Sequence, residues 1–188
     1  MKKIIIISSS VREGRKSNRV ALFFKNFIID KNLAEAEILD LEHYNFPIFE
    51  ERLKNLKNPP ENVLHFAEKI KSSDGVLIVT PEYNGGYPSS LKNAIDLLYD
   101  EWHHKPIAIS TVSDGIFGGS QVITSLQFSL WKIKALTVTA TFPVPKITEA
   151  FNEAGVPFDE EGINKRASAF VKELLWFIEA AVIMKQGN

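Results

Sequence analysis

Short apolar runs alternate along the chain with segments of helical period. Ile4–Ser8 is a continuous β-branched run, the pattern of a parallel strand buried on both faces. From Ser17 the apolar positions Val20, Phe23, Phe24, Phe27 and Ile28 form one helical stripe. Glu37–Leu41 is predicted as a second strand, followed by a loop-rich stretch from Glu42 to Asn58. Pro59-Pro60 opens a helix to about Ser72, because proline is tolerated in a first turn. Gly75–Thr80 is the third strand, and Leu91, Ala94, Ile95 and Leu98 mark the next helix. Pro106–Val112 and Leu136–Phe142 are the fourth and fifth strands, with a helix from about Ser120 to Ile133 between them. Pro143 to Asp159 reads as an irregular excursion. A last helix spans about Glu161 to Met184, with Ala167, Phe170, Val171, Leu174, Leu175, Ile178 and Val182 on its buried side.

Five strands alternating with helices specify an α/β protein, a doubly wound parallel sheet covered on both faces. No repeat or linker divides residues 1–188, so one domain is expected. Its length is sufficient to bury roughly 70% of the unfolded surface. The charge is 22 basic against 23 acidic residues, which argues against a general nucleic-acid binder. There is no cysteine, hence no disulfide, thiolate metal site or thiol nucleophile; a cytoplasmic location fits that absence. The apolar run behind Lys2-Lys3 has only four residues, too few for a signal core or a membrane span.

Open parallel sheets bind ligands beyond the carboxyl ends of their strands. Three loops there are unusual. The first runs from Ser8 to Asn18 and ends at a helix start, where free N–H groups favour an anion. Hydroxyls at Ser8, Ser10 and Ser17 and the Arg12 guanidinium suit a phosphate. The same residues also suit a plain polar loop with Ser17 or Asn18 as helix cap. The spacing is neither Walker A nor GxGxxG. The second loop, Thr80 to Pro88, holds Tyr83, Tyr87 and the flexible pair Gly85-Gly86 between two prolines. It suits a planar heterocycle, or is a tight turn with incidental aromatics. The third loop, Ser113 to Ser120, has three glycines before a helix.

Together, Ser10-x-Arg12 with Arg15-Lys16-Ser17, Thr80-Pro81-Glu82-Tyr83-Asn84-Gly85 with Pro88-x-x-Leu91-Lys92-Asn93-Ala94-Ile95-Asp96, and Ser113-x-Gly115-x-x-Gly118-Gly119 resemble the NADPH-dependent FMN reductase family. That family is flavodoxin-like and includes quinone, azo-dye and chromate reductases. The resemblance covers residues 1 to 145 closely and the final helix loosely. It implies FMN, strand order 2-1-3-4-5 and a homodimer or homotetramer, while the charge balance and the short apolar run above leave no membrane or nucleic-acid partner expected. Ser10, Arg12, Ser17 and Asn18, with Ser8 beside them, are the implied phosphate residues. Pro81, Glu82, Tyr83, Asn84 and Gly85 would line the ring and ribityl chain. Ser113 and Gly115, with Asp114 between them, would flank the pyrimidine side. Ser9 departs from the family, which carries glycine before the first-loop serine.

The implied activity is hydride transfer from NADPH or NADH to FMN and on to a quinone, azo dye, metal oxyanion or free flavin. No catalytic side chain and no metal ligand is expected, since the flavin carries the chemistry. Arg15 and Lys16 are either contacts for the extra NADPH phosphate or a solvated basic pair. The alternatives are a non-enzymatic flavodoxin-type electron carrier and an FMN-binding module. Carriers are usually strongly acidic, against a net charge of −1 here. Trp102-His103-His104 reads as a surface loop, the aromatics of 142–158 as a subunit contact, and Phe117 and Trp131 as core or interface.

Overall fold

The computed structural model describes residues 1–186; positions 187 and 188 of the expected 1–188 domain lie outside the described residues. Five parallel strands form one sheet: β1 (Lys3–Ser8), β2 (Glu35–Asp40), β3 (Gly75–Pro81), β4 (Pro106–Val112) and β5 (Leu136–Val144). Their order is 2-1-3-4-5, with every pairing parallel. The helices are α1 (Asn18–Asp30), α2 (Leu41–Tyr44), α3 (Glu61–Ser72), α4 (Ser89–Leu97), α5 (Val122–Lys132), α6 (Ile147–Ala150) and α7 (Glu160–Gln186).

The period-2 alternation of a strand explains why the central strands are apolar throughout. Ile4 and Ile6 of β1 and Leu77 and Val79 of β3 point into a core shared with α1 and α7. Ile5, Ile7, Val76 and Ile78 point the other way, into a core shared with α3, α4 and α5. In the first core Phe24 meets Phe142 edge-on at 5.0 Å and Phe170 at 5.4 Å. Each such buried ring contributes about 2 kcal/mol relative to exposure. In the second, Trp102 is fully buried and its indole N–H donates to the Ile95 carbonyl at 3.1 Å.

Several expectations are corrected in detail. The second strand starts and ends earlier than its apolar run, because Glu35 and Ala36 already pair with β1. The α7 stripe drifts: Ala181 is buried and Val182 is 38% exposed, since a straight helix of 3.6 residues per turn carries position 182 off the core face. Phe142 and Phe151 belong to the core rather than to a subunit contact. Trp102 likewise leaves the expected surface loop, although His104 stays on it. Phe117 and Trp131 are on the surface, 72% and 64% exposed.

Candidate active site

The carboxyl ends of β1, β3 and β4 deliver the three loops to one edge of the sheet. They enclose a cavity of about 300 Å³, at the low end for a small-molecule site. Eight of the expected residues line it: Ser10, Arg12, Ser17, Pro81, Glu82, Tyr83, Ser113 and Asp114. Five do not: Ser8, Asn18, Asn84, Gly85 and Gly115. Gly14, Arg15, Lys16, Val112 and Ile147 complete the lining.

The first loop holds polar groups with nothing to bind. The Ser8 and Ser17 side chains are buried and their hydroxyls have no partner among the described residues, nor has the Asn18 carbonyl oxygen. Ser17 occupies the position ahead of α1 without capping it, so the capping reading of that serine is not met. Buried hydroxyls are normally satisfied, and the Ser17 hydroxyl, which lines the cavity beside a helix start, has a donor free for an anion; the Asn18 carbonyl oxygen can only accept. Ser9 is fully buried and does not line the cavity. Its N–H donates to the Val79 carbonyl at 3.1 Å, and its carbonyl accepts from the Ser90 hydroxyl at 2.6 Å. The main chain of the serine that replaces the family glycine is thus held beneath the loop, while its buried hydroxyl has no partner among the described residues.

The second loop closes as a tight turn. Tyr83 and Gly86 exchange main-chain hydrogen bonds of 2.8 and 3.0 Å across Asn84 and Gly85, at φ of 53° and 78°. Two successive positive φ values define the Asn-Gly turn of a two-residue hairpin. The flexible pair is therefore Asn84-Gly85, not Gly85-Gly86. Tyr83 shares a 2.6 Å hydrogen bond with the Ser10 hydroxyl, joining loop to loop. Tyr87 turns away from the cavity and meets the Ser129 hydroxyl at 2.7 Å.

The third loop takes its glycines for its own path. A Cβ on Gly119 would sit 3.2 Å from the Val112 carbonyl oxygen, and one on Gly118 would sit 3.0 Å from the Val144 and Pro145 nitrogens. These two glycines relieve backbone crowding rather than open the loop to a ligand. Asp114 accepts from Thr148 at 2.9 Å and from Lys16 at 3.2 Å. The Thr148 bond, with Lys16 assisting, holds its carboxyl below the usual carboxylate range. Lys16 also donates to Thr148 at 2.6 Å.

Arg15 and Lys16 differ: Lys16 lines the cavity with a side chain 36% exposed, whereas Arg15 is withdrawn from solvent and is not part of a solvated basic pair. The Arg15 side chain is 10% exposed and pairs with Asp40 and Glu42. The Asp40 hydrogen bond drives its guanidinium above its ordinary range. Asp40, Glu42 and His43 offer ligand atoms within 4.8 Å of one another, but both carboxylates are already bonded to Arg15. Arg12 is exposed and is the one cavity-lining cation with no acidic partner among the described residues. Ile147 and Thr148 lie in the excursion before α7, and no spacing in the sequence marks them.

The residues present fit a phosphorylated flavin: the Arg12 guanidinium without an acidic partner among the described residues and the unmet Ser17 hydroxyl at a helix start, beside the rigid turn that carries Tyr83. The sequence model for "NADPH-dependent FMN reductase" matches residues 2–149. An NAD(P)H-dependent FMN reductase of Saccharomyces cerevisiae is 32% identical over 166 residues, covering 77% of this chain and 85% of its own. A quinone reductase of Pseudomonas putida is 32% identical over 177 residues, 90% and 88% of the two chains. The solved structure of FerB, a flavoenzyme NAD(P)H:(acceptor) oxidoreductase from Paracoccus denitrificans, superposes with a TM-score of 0.76 at 25% identity, over 95% of this chain and 98% of that one. The relatives are named as enzymes, which sets the electron-carrier and binding-module alternatives aside. The chain belongs to the NADPH-dependent FMN reductase family: it is a flavodoxin-like oxidoreductase that uses FMN as cofactor and NAD(P)H as electron donor.

Proposed function

We propose that residues 1–188 form one FMN-binding domain that reduces small planar acceptors, quinones and azo dyes foremost, in the cytoplasm. The supporting observation is the cavity where the unmet Ser17 hydroxyl lies at a helix start beside Arg12, which has no acidic partner among the described residues. Relatives named quinone reductase and NADPH azoreductase supply the acceptor class. The chemistry that FMN would supply here when bound is hydride transfer between the nicotinamide and the acceptor.

The chain's own residues hold and tune. Ser10, Ser17, Asn18 and Arg12, with Ser8 beneath, receive the phosphate, assisted by the free N–H groups of the first turn of α1. Pro81, Glu82 and Tyr83 would line the ring and ribityl chain, with Asn84 and Gly85 forming the turn behind them, and Ser113 and Asp114, with Gly115 beside them, would meet its pyrimidine side. No side chain acts as nucleophile.

The protein assembles as a homo-oligomer in this reading. Ile116 and Phe117 on the third loop, and Phe128 and Trp131 on the helix that follows it, are 61–72% exposed. The Phe128 and Trp131 rings lie 5.8 Å apart. An exposed aromatic group of this kind marks an association surface. None of the helices among the described residues is long and apolar enough to cross a membrane.

The test is steady-state NADPH oxidation by FMN-loaded protein with a quinone and an azo dye as acceptors. Turnover with either supports the proposal. Consumption no faster than with free FMN for both acceptors sets it aside.

A further inference from the structure

We infer that Arg15 is a positioning residue for the flavin phosphate: it shapes the first loop to receive the anion and does not itself bind it. The inference rests on the reading of the cavity as the FMN site.

Arg15 reaches back from the first loop to the end of β2. Its Nη1 donates to the Ser10 main-chain carbonyl at 2.6 Å and also to the Asp40 carboxylate. Its Nη2 donates to Asp40 Oδ2 at 2.6 Å and to Glu42 Oε2 at 2.6 Å. Two carboxylates therefore face one guanidinium, whose side chain is only 10% exposed. Such a group has little charge or donor capacity left for a ligand.

The Ser10 carbonyl explains what the clamp does. A loop that offers N–H and hydroxyl groups to an anion must send its carbonyls elsewhere, or they repel the ligand. Arg15 occupies that carbonyl by donating to it, which offsets its repulsion of an anion. The Ser10 hydroxyl is then left for the Tyr83 hydroxyl at 2.6 Å and the Arg12 N–H at 3.3 Å. Arg15 thus fixes the residue through which the first loop, the second loop and Arg12 are connected. The fork of the guanidinium is needed because the carbonyl and the Asp40 carboxylate lie in different directions; a lysine ammonium lacks that geometry. A loop held in its binding shape beforehand loses less entropy when the ligand arrives.

Asp40 supplies a test whose two outcomes have opposite sign. It also caps α2 by accepting from the Glu42 N–H at 3.2 Å, a role that asparagine retains. FMN and riboflavin dissociation constants are measured on the full chain by flavin fluorescence for Arg12→Ala, Arg15→Lys, Asp40→Asn and the Arg15→Lys/Asp40→Asn double variant. If Arg15 positions the loop, Arg15→Lys and Asp40→Asn each weaken FMN roughly tenfold. The double variant is little worse than either, because the two residues act as one unit. Riboflavin binding changes far less than FMN binding, whereas a general loss of structure would lower both equally. If Arg15 were a phosphate ligand, Asp40→Asn would free it and tighten FMN. A tighter or unchanged constant overturns the inference. Should Asp40→Asn fail to fold by circular dichroism, Glu42→Gln carries the same sign test. If Arg12→Ala also leaves FMN unaffected, the site reading itself falls; if only Arg12→Ala weakens FMN, the Arg15 inference alone falls.

Discussion

The Tyr83 and Ser10 hydroxyls lie 2.6 Å apart, so a residue of the second loop reaches across the cavity to one of the first. The contact couples the turn that would line the flavin ring to the loop that would hold its phosphate. Neither loop can shift alone without breaking it.

Removing the Tyr83 hydroxyl isolates that coupling. Tyr83→Phe keeps the ring and deletes one part-buried hydrogen bond, worth about 1 kcal/mol. FMN binding should weaken about fivefold, with little change in thermal midpoint. Flavin fluorescence titration checks it, and an unchanged dissociation constant would show that the two loops act independently.

Arg12 carries the free positive charge of the cavity. Arg12→Ala removes a charge-assisted phosphate contact and should weaken FMN by roughly tenfold or more. Riboflavin, which lacks the phosphate, should bind the variant and the parent alike. Equal FMN affinity in the two proteins would contradict the phosphate assignment.

Lys105 predicts an alkaline stability gain. Its side chain is 4% exposed, and its ammonium donates to the carbonyls of Lys71, at 3.3 Å, and Ser73. Burial pushes its pKa down to about 8 from 10.5, with Lys185 adding to the effect and Asp74 opposing it. Below about pH 8 both folded and unfolded chains carry the proton, and the burial penalty is fully present. Between that point and 10.5 the unfolded chain binds more protons, so this group's contribution to stability rises with pH. Urea unfolding of the parent and of Lys105→Met at about pH 7 and about pH 10 tests this. The parent should gain relative to the variant, by up to about 3 kcal/mol. A difference that does not change with pH would contradict it.

The exposed aromatics on α5 predict assembly. Phe128→Asp with Trp131→Asp places charge on the association surface while leaving both cores untouched, since the two side chains are 61% and 64% exposed. Sedimentation should show an oligomer for the parent and a smaller species for the variant. A monomeric parent would remove the assembly proposal.

The fold was legible because its signals are local. Ile4 to Ile7 faces both cores and so must be apolar throughout, and α1 and α4 carry their buried residues at helical spacing. The three loops were legible for a related reason: parallel topology brings every strand's carboxyl end to one edge. What the sequence hid is non-local. Arg15 meets Asp40 at the end of β2 and Glu42 in α2, and Lys16 meets Thr148 from the segment before α7. No spacing encodes those encounters, so Arg15 and Lys16 looked like free cations. Glycine counts misled in a similar way: Gly118 and Gly119 serve the loop's own close packing, while the positive-φ work of the second loop is shared by Asn84.

The most direct test is an anaerobic titration of FMN-loaded protein with NADPH, followed in the oxidised flavin absorption band, with quinone added at the end. The band should bleach at catalytic speed and return when quinone is added. A protein that binds FMN but whose band survives NADPH, and NADH after it, would contradict the reductase account.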